Sequence, residues 1–258
     1  MDILKPSAVV GTNSWGSAVY GKVLRGESVD TDTIRKCYER ALEKDLKDFR
    51  RNYVDIYWLH LPSDIEKNLN EITTLVKEGK IKHVGISNFT LDECKRAKEI
   101  LDYADIPLYG VQNHYSLINR VWEKNGLVAW CRENGVQFWA WAVLEEGMLT
   151  DPRVKTKMSL MKLIFNGKKR KLHSLYVLMN KIGKKHGLKI PQVAVAFCTA
   201  KGIVPICGCR KPYQVDDLFA AANTKLTDEE VKLLENEADK LNVKILGADM
   251  FRFAVKKS

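Results

Sequence analysis

Apolar residues gather in short runs along this chain, and each run ends in polar side chains. Three lie evenly spaced near the middle, at Val54–His60, His83–Asn88 and Tyr109–His114, and two more follow at Val136–Trp141 and Gly202–Gly208. A continuous apolar run rich in β-branched and aromatic residues is how a parallel strand buried on both faces reads. The polar closing residues would then open into a site at each strand's C-terminal end. Between the runs the period becomes helical. Ser63-x-x-Glu66, Thr90-x-x-Glu93 and Thr227-x-x-Glu230 fit the capping box, in which a side chain and a helix end satisfy each other's backbone donors. Helices are predicted near 32–44, 65–78, 91–102, 121–134, 173–186, 191–200, 212–222 and 227–241.

Strands alternating with helices place the chain in the α/β class. With a first strand near Val9, about six strands can be counted, where a closed barrel of this kind has eight. The expected fold is an incomplete TIM-type (β/α) barrel, formed as a single domain over residues 1–258. An open edge in a parallel sheet leaves backbone groups unpaired. A tail or a second copy of the chain, as a homodimer, is therefore expected over the slot between the first strand and 54–60. The last stretch, Val243–Ser258, carries two Phe and a Met among basic residues and could be that tail. The segment 145–172 is long for a strand-to-helix connection, and such loops are usually functional or mobile.

The strand ends carry a resemblance. Leu59-His60-Leu61-Pro62, Gly85-Ile86-Ser87-Asn88-Phe89, Val111-Gln112-Asn113-His114-Tyr115-Ser116 and Gly208-Cys209-Arg210 occur in the order in which the aldo-keto reductase family has their counterparts. Gly11-Thr12-Asn13-Ser14-Trp15-Gly16 resembles the family's first strand and loop. The resemblance implies an NADP(H)-dependent oxidoreductase lineage. It implies that Ser87, Asn88 and Gln112 hold the carboxamide of the cofactor, and that Trp141 stacks on the nicotinamide. Gly208, Arg210 and Lys211 match the loop that binds the adenosine phosphate; the two cations suit a 2′-phosphate and favour NADP over NAD. Gln214 and Asp217 match further adenosine contacts, whereas Leu218 stands where the family usually has Asn. His114 is expected to point off the cofactor face.

The resemblance also exposes a gap. Ala41-Leu42-Glu43-Lys44 runs straight into Asp45–Tyr53, which resembles the end of the family's third helix. The segment bearing the second and third strands is missing at about 44/45. With it go the family's Asp, its acid Tyr and its Lys, which leaves His60 alone of the usual catalytic four. The first reading is thus a chain that keeps the nucleotide site but is weakly active or inactive. A second is a working reductase of small aldehydes or ketones, in which His60 acts with a substitute acid; Tyr20 with Lys22 could imitate the lost pair. A third is a cofactor sensor or scaffold that binds a partner at the open slot. Each matched residue also has a plainer reading: Ser87 and Asn88 as caps of the following helix, Gln112 as a strand-end amide, Trp139 and Trp141 as core.

Composition narrows these little. The 258 residues carry a net charge of +10, and from Lys155 to Lys189 there are eleven Lys and Arg with no Asp or Glu. That stretch reads as a solvated face or as a surface for an anionic partner. Its Gly167–Lys171 cluster has no interleaved aromatic, so specific nucleic-acid readout is not expected. No apolar run reaches membrane-span length, and Met1–Lys5 lacks a signal-type apolar stretch. The six scattered cysteines form no CxxC pair and read as reduced thiols of a cytoplasmic protein. A redox or metal role for Cys207-Gly208-Cys209 has no nearby histidine to support it. No GxGxxG motif is present, in keeping with a phosphate loop placed after the last strand.

Overall fold

The computed structural model describes residues 9–11, 52–152, 169–209, 212–243 and 245. In chain order the main elements are β1 (Val9–Gly11), β2 (Val54–Leu59), α1 (Ile65–Lys77), β3 (Ile81–Ser87), α2 (Leu91–Tyr103), β4 (Leu108–His114), α3 (Val121–Lys124), α4 (Leu127–Glu133) and β5 (Gln137–Trp141). They continue with α5 (His173–His186), α6 (Ile190–Ala200), β6 (Val204–Gly208), α7 (Pro212–Ala222) and α8 (Asp228–Leu241). The expected helix at 32–44, the apparent deletion at about 44/45, the Tyr20–Lys22 pair and nearly all of the tail lie outside the described residues.

The described chain divides into two compact units. One unit holds residues 52–113 and 125–138, with strands in the order β5-β4-β3-β2. The registered pairs are parallel: Val54 lies opposite Ile81 and Leu59 opposite Ile86, while β3 meets β4 from Val84–Leu108 to Ser87–Gln112. Among the described residues β2 pairs with β3 alone. A bulge between Val84 and Gly85 leaves Tyr109 as the extra residue of β4. The fully buried Val84, Ile86 and Val111 show why these runs carry no polar alternation, since parallel strands are covered on both faces. Leu69, Ile72 and Leu75 of α1, with Cys94, Ala97 and Leu101 of α2, present apolar stripes at helical spacing.

The Thr90 capping box forms: the Glu93 N–H donates to Thr90 Oγ1 at 3.4 Å and the Thr90 N–H to Glu93 Oε2 at 2.6 Å. The box expected at Ser63 does not. Asp64 is the N-cap of α1, in a left-handed conformation (φ 39°) with no capping side-chain bond. The helix starts one residue later than the box requires, and the Glu66 carboxylate pairs with Arg96 of α2 at 2.9 Å. The single helix expected over 121–134 is broken as well. Gly126 adopts φ 89°, and the Leu127 N–H turns to Asn125 Oδ1, so α4 starts afresh.

The other unit holds β1, residues 114–124 and the described chain from Trp139 onward, with strand order β1-β6-β5. Val9, Val10 and Gly11 pair in parallel with Ile206, Cys207 and Gly208. Helix α6 is buried nearly all round, from Val193 through Cys198, which explains its unbroken apolar sequence. The Thr227 capping box of α8 is present and carries extra partners. Glu230 accepts from the Thr227 N–H at 3.1 Å and lies 2.9 Å from His186 Nε2 and 3.3 Å from Lys185 Nζ. Burial pushes this carboxyl's pKa up; the Thr227 N–H, His186 and Lys185 outweigh it and hold the pKa below the ordinary glutamate value. A carboxylate depressed on folding adds stability above its unfolded pKa, and loses it as pH falls through that value to the folded one. Glu230→Gln keeps the box but not the charge. Its melting temperature is therefore expected to fall less than that of the parent between pH 6 and pH 3. Thermal melts across that range check this, and parallel slopes would refute it.

Candidate functional site

Four of the sequence-predicted residues meet in the first unit, at the ends of β2, β3 and β4. Ser87 is fully buried, and its Oγ donates to the Gln112 backbone carbonyl at 2.8 Å. The Asn88 N–H donates to the same carbonyl at 3.1 Å. Asn88 Nδ2 donates to the His60 carbonyl at 3.0 Å and to Ser87 Oγ at 3.2 Å. Asn88 sits at φ 64°, a left-handed conformation that Asn tolerates better than most residues. Neither Ser87 nor Asn88 caps the next helix, because Thr90 does that. The three strand ends are thus laced together by the very groups expected to face a carboxamide. His60 is exposed, yet the protein around its ring excludes enough water to lower its pKa below the ordinary histidine value. Its imidazole is therefore neutral at pH 7, able to polarise an oxygen through an N–H but short of the cationic form.

The second unit holds Trp141, Gly208, Gln214 and Asp217. A cavity of about 860 Å³ opens at the end of β6, lined by Gly208, Gln214 and Asp217 together with Leu144, Lys189 and Tyr213. Its volume lies within the range of small-molecule and cofactor sites. Leu218, in the place of the family's Asn, also lines it and is buried. Arg210 and Lys211 lie outside the described residues.

Several participants escaped the sequence reading. Lys189 Nζ pairs with Asp217 at 3.0 Å, and Gln192 Nε2 donates to the Asp217 carbonyl at 3.2 Å. Both belong to the start of α6, and Lys189 closes the basic stretch that reads as a solvated face or as a surface for an anionic partner. Tyr176 on the cavity wall donates to the Met148 carbonyl at 2.6 Å, and burial pushes its phenol up to about 12. Burial, with a smaller contribution from Cys209, raises the Cys207 thiol to about 12 as well, so it stays protonated at neutral pH. His114 stacks on Trp141. Among the described residues no group of three or more His, Cys, Asp or Glu could hold a metal, and no helix is long and apolar enough to cross a membrane.

The donor set fits a nucleotide. A glycine at a strand end permits close backbone approach, and Tyr213 with Gln214 offers a ring face and an amide beside it. Comparison with known proteins gives the family. The profile described as Aldo/keto reductase family matches residues 18–238. The chain is 30% identical over 169 residues to the chloroplastic pyridoxal reductase of Arabidopsis thaliana, covering 65% of this chain and 46% of that protein. It is 27% identical over 224 residues to the Schizosaccharomyces pombe aldo-keto reductase yakc, named for NADP(+), covering 81% and 64%. The chain thus spans about half to two thirds of these relatives. A thermostable aldo-keto reductase solved with the inhibitor epalrestat superposes with a TM-score of 0.64 at 26% identity, covering 79% of this chain and 66% of that one. The glycerol dehydrogenase of Gluconobacter oxydans gives 0.72 at 24% identity, covering 86% and 71%, and shows the shared TIM-type (β/α) architecture. By its profile, its strand ends and its fold, this chain belongs to the aldo/keto reductase family.

Proposed function

We propose that this chain binds NADP(H) and, having lost the family's Asp, Tyr and Lys with the segment at about 44/45, turns substrate over weakly or not at all. The cavity at the end of β6 carries the reading, because three residues matched to the adenosine half line it together. The NADP(+) in the name of the fission-yeast relative supports the choice of cofactor. When bound, the reduced nicotinamide would supply the hydride for carbonyl reduction. The chain's own residues would bind and orient: Gly208, Gln214 and Asp217 the adenosine end, Arg210 and Lys211 the 2′-phosphate, and Trp141 the ring. His60 is the one matched catalytic side chain, and its neutral imidazole makes it a weak proton source. The substrate class is small carbonyls; pyridoxal and glyceraldehyde 3-phosphate, in the names of two relatives, are both aldehydes. A homodimer over the slot left by the missing strands, a single domain and a cytoplasmic setting for the reduced thiols complete the reading.

Titration with NADPH and with NADH, followed by quenching of tryptophan fluorescence, tests it. Saturable binding with NADPH preferred, and that preference lost in Arg210→Ala/Lys211→Ala, is expected. Absence of saturable binding would refute the site. The alternative of a working reductase using His60 requires His60→Ala to abolish aldehyde-dependent NADPH consumption while cofactor binding persists.

A further inference from the structure

A buried polar cluster stands behind Trp141. The His114 and Trp141 rings stack with centroids 4.5 Å apart and 22° between their planes. At the edge of the imidazole, both Glu145 carboxylate oxygens lie 3.0 Å from His114 Nε2. Ser116 Oγ donates to Glu145 Oε1, closing the cluster. His114 is 3% exposed and Glu145 4%. Nε2 is thus taken up by Glu145, which leaves Nδ1 as the other polar atom of the ring. That Nδ1 is buried without a partner. Most buried side-chain polar atoms have a partner, so an imidazole with one bare nitrogen asks for a reason beyond packing.

The backbone here is strained as well. Ala142, Glu145 and Glu146 sit at φ 58°, 45° and 51°, a left-handed region costly for residues with a Cβ. Such strain persists only where the surroundings over-determine it, and the bonds of Glu145 to His114 and Ser116 supply that hold. Leu144, inside the same loop, lines the cavity.

We propose that His114 and Glu145 are positioning residues: Glu145, clamped by Ser116, fixes the His114 ring, and that ring fixes Trp141 as the platform for a flat nicotinamide. The inference rests on the nucleotide site argued above. It separates the two halves of the ligand. The platform acts on the nicotinamide alone, while the cavity at β6 takes the adenosine end.

The test is calorimetric titration of the full chain with NADPH and with 2′,5′-ADP, which lacks the nicotinamide. Glu145→Ala is expected to weaken NADPH about tenfold, the size of an aromatic stacking term, and to leave 2′,5′-ADP unchanged. Glu145→Gln can still accept from Ser116 and hydrogen-bond His114 Nε2, so it should retain most of the NADPH affinity. Glu146→Gly, at an exposed position, should match the parent. Ser116→Ala gives the same selective loss at smaller size and carries the test if Glu145→Ala fails to fold. Equal NADPH affinity in the parent and the tested variant, or an equal fall for both ligands, overturns the positioning role. A parent that binds neither ligand removes the nucleotide site itself and this role with it.

Discussion

Replacing Gly183 with alanine is expected to lower the melting temperature by about 4–8 °C, taking a net loss of about 2 kcal/mol in a domain of this size. The direction runs against helix propensity, by which the change would gain about 1 kcal/mol in the interior of α5. Packing decides the sign. A Cβ at this position would lie 2.3 Å from the Leu188 carbonyl oxygen and 3.2 Å from Val193 Cγ2. The obstacle is backbone and cannot rotate away. Residue 188 is also held there, because its N–H donates to the Gly183 carbonyl at 2.8 Å. Overpacking of this kind costs about 3 kcal/mol, which outweighs the propensity gain. Leu188 and Lys189 line the cavity, so its shape should change along with the loss of stability. Thermal unfolding by circular dichroism reads the first effect; a melting point at or above that of the parent would sink the argument.

The second large effect is expected at Gly85, and it should be reversible by a second change. A Cβ there would sit 2.3, 2.5 and 2.7 Å from three atoms of the Trp58 indole. These atoms belong to the rigid ring, so the whole side chain must leave. It is boxed in from the next strand as well, since a Cβ on Gly110 would meet the same ring at 3.3 Å. Gly85→Ala should therefore cost about 2–3 kcal/mol. In a Trp58→Ala background the same change should cost well under 1 kcal/mol, a coupling of the size expected for residues in contact. Denaturant unfolding of the four proteins measures it. Additive losses would mean that the indole is not what excludes a side chain from position 85.

Both cases mark where the sequence was legible and where it was not. The apolar runs located β2 through β6 to within two residues, because a strand covered on both faces must be continuously apolar. The Thr90 and Thr227 boxes were legible because all their atoms lie within four residues. The Ser63 box was missed by one residue: the chain turns at Asp64, in a left-handed conformation, and the helix starts there. The cavity residues Gly208, Gln214 and Asp217 were found through family order rather than by any local pattern. What stayed hidden were pairs made by the fold. Lys189 and Asp217 lie 28 positions apart, and His114 and Glu145 lie 31 apart. No periodicity links them. Glu145 fell in a segment noted only for its length, and its left-handed backbone has no glycine to announce it.

The pairing of β2 with β3 alone among the described residues also bears on how the protein behaves in a tube. The hexapeptide Val54–Leu59 has high β-propensity, lacks proline and carries a single charge, at Asp55. Segments of that composition at a sheet edge are templates for intermolecular stacking. Asp55, paired with Lys82 at 3.3 Å, puts the one charge of the run on the strand, the placement of a gatekeeper against such stacking. Its loss would be felt in yield and shelf life before it was felt in a melting curve.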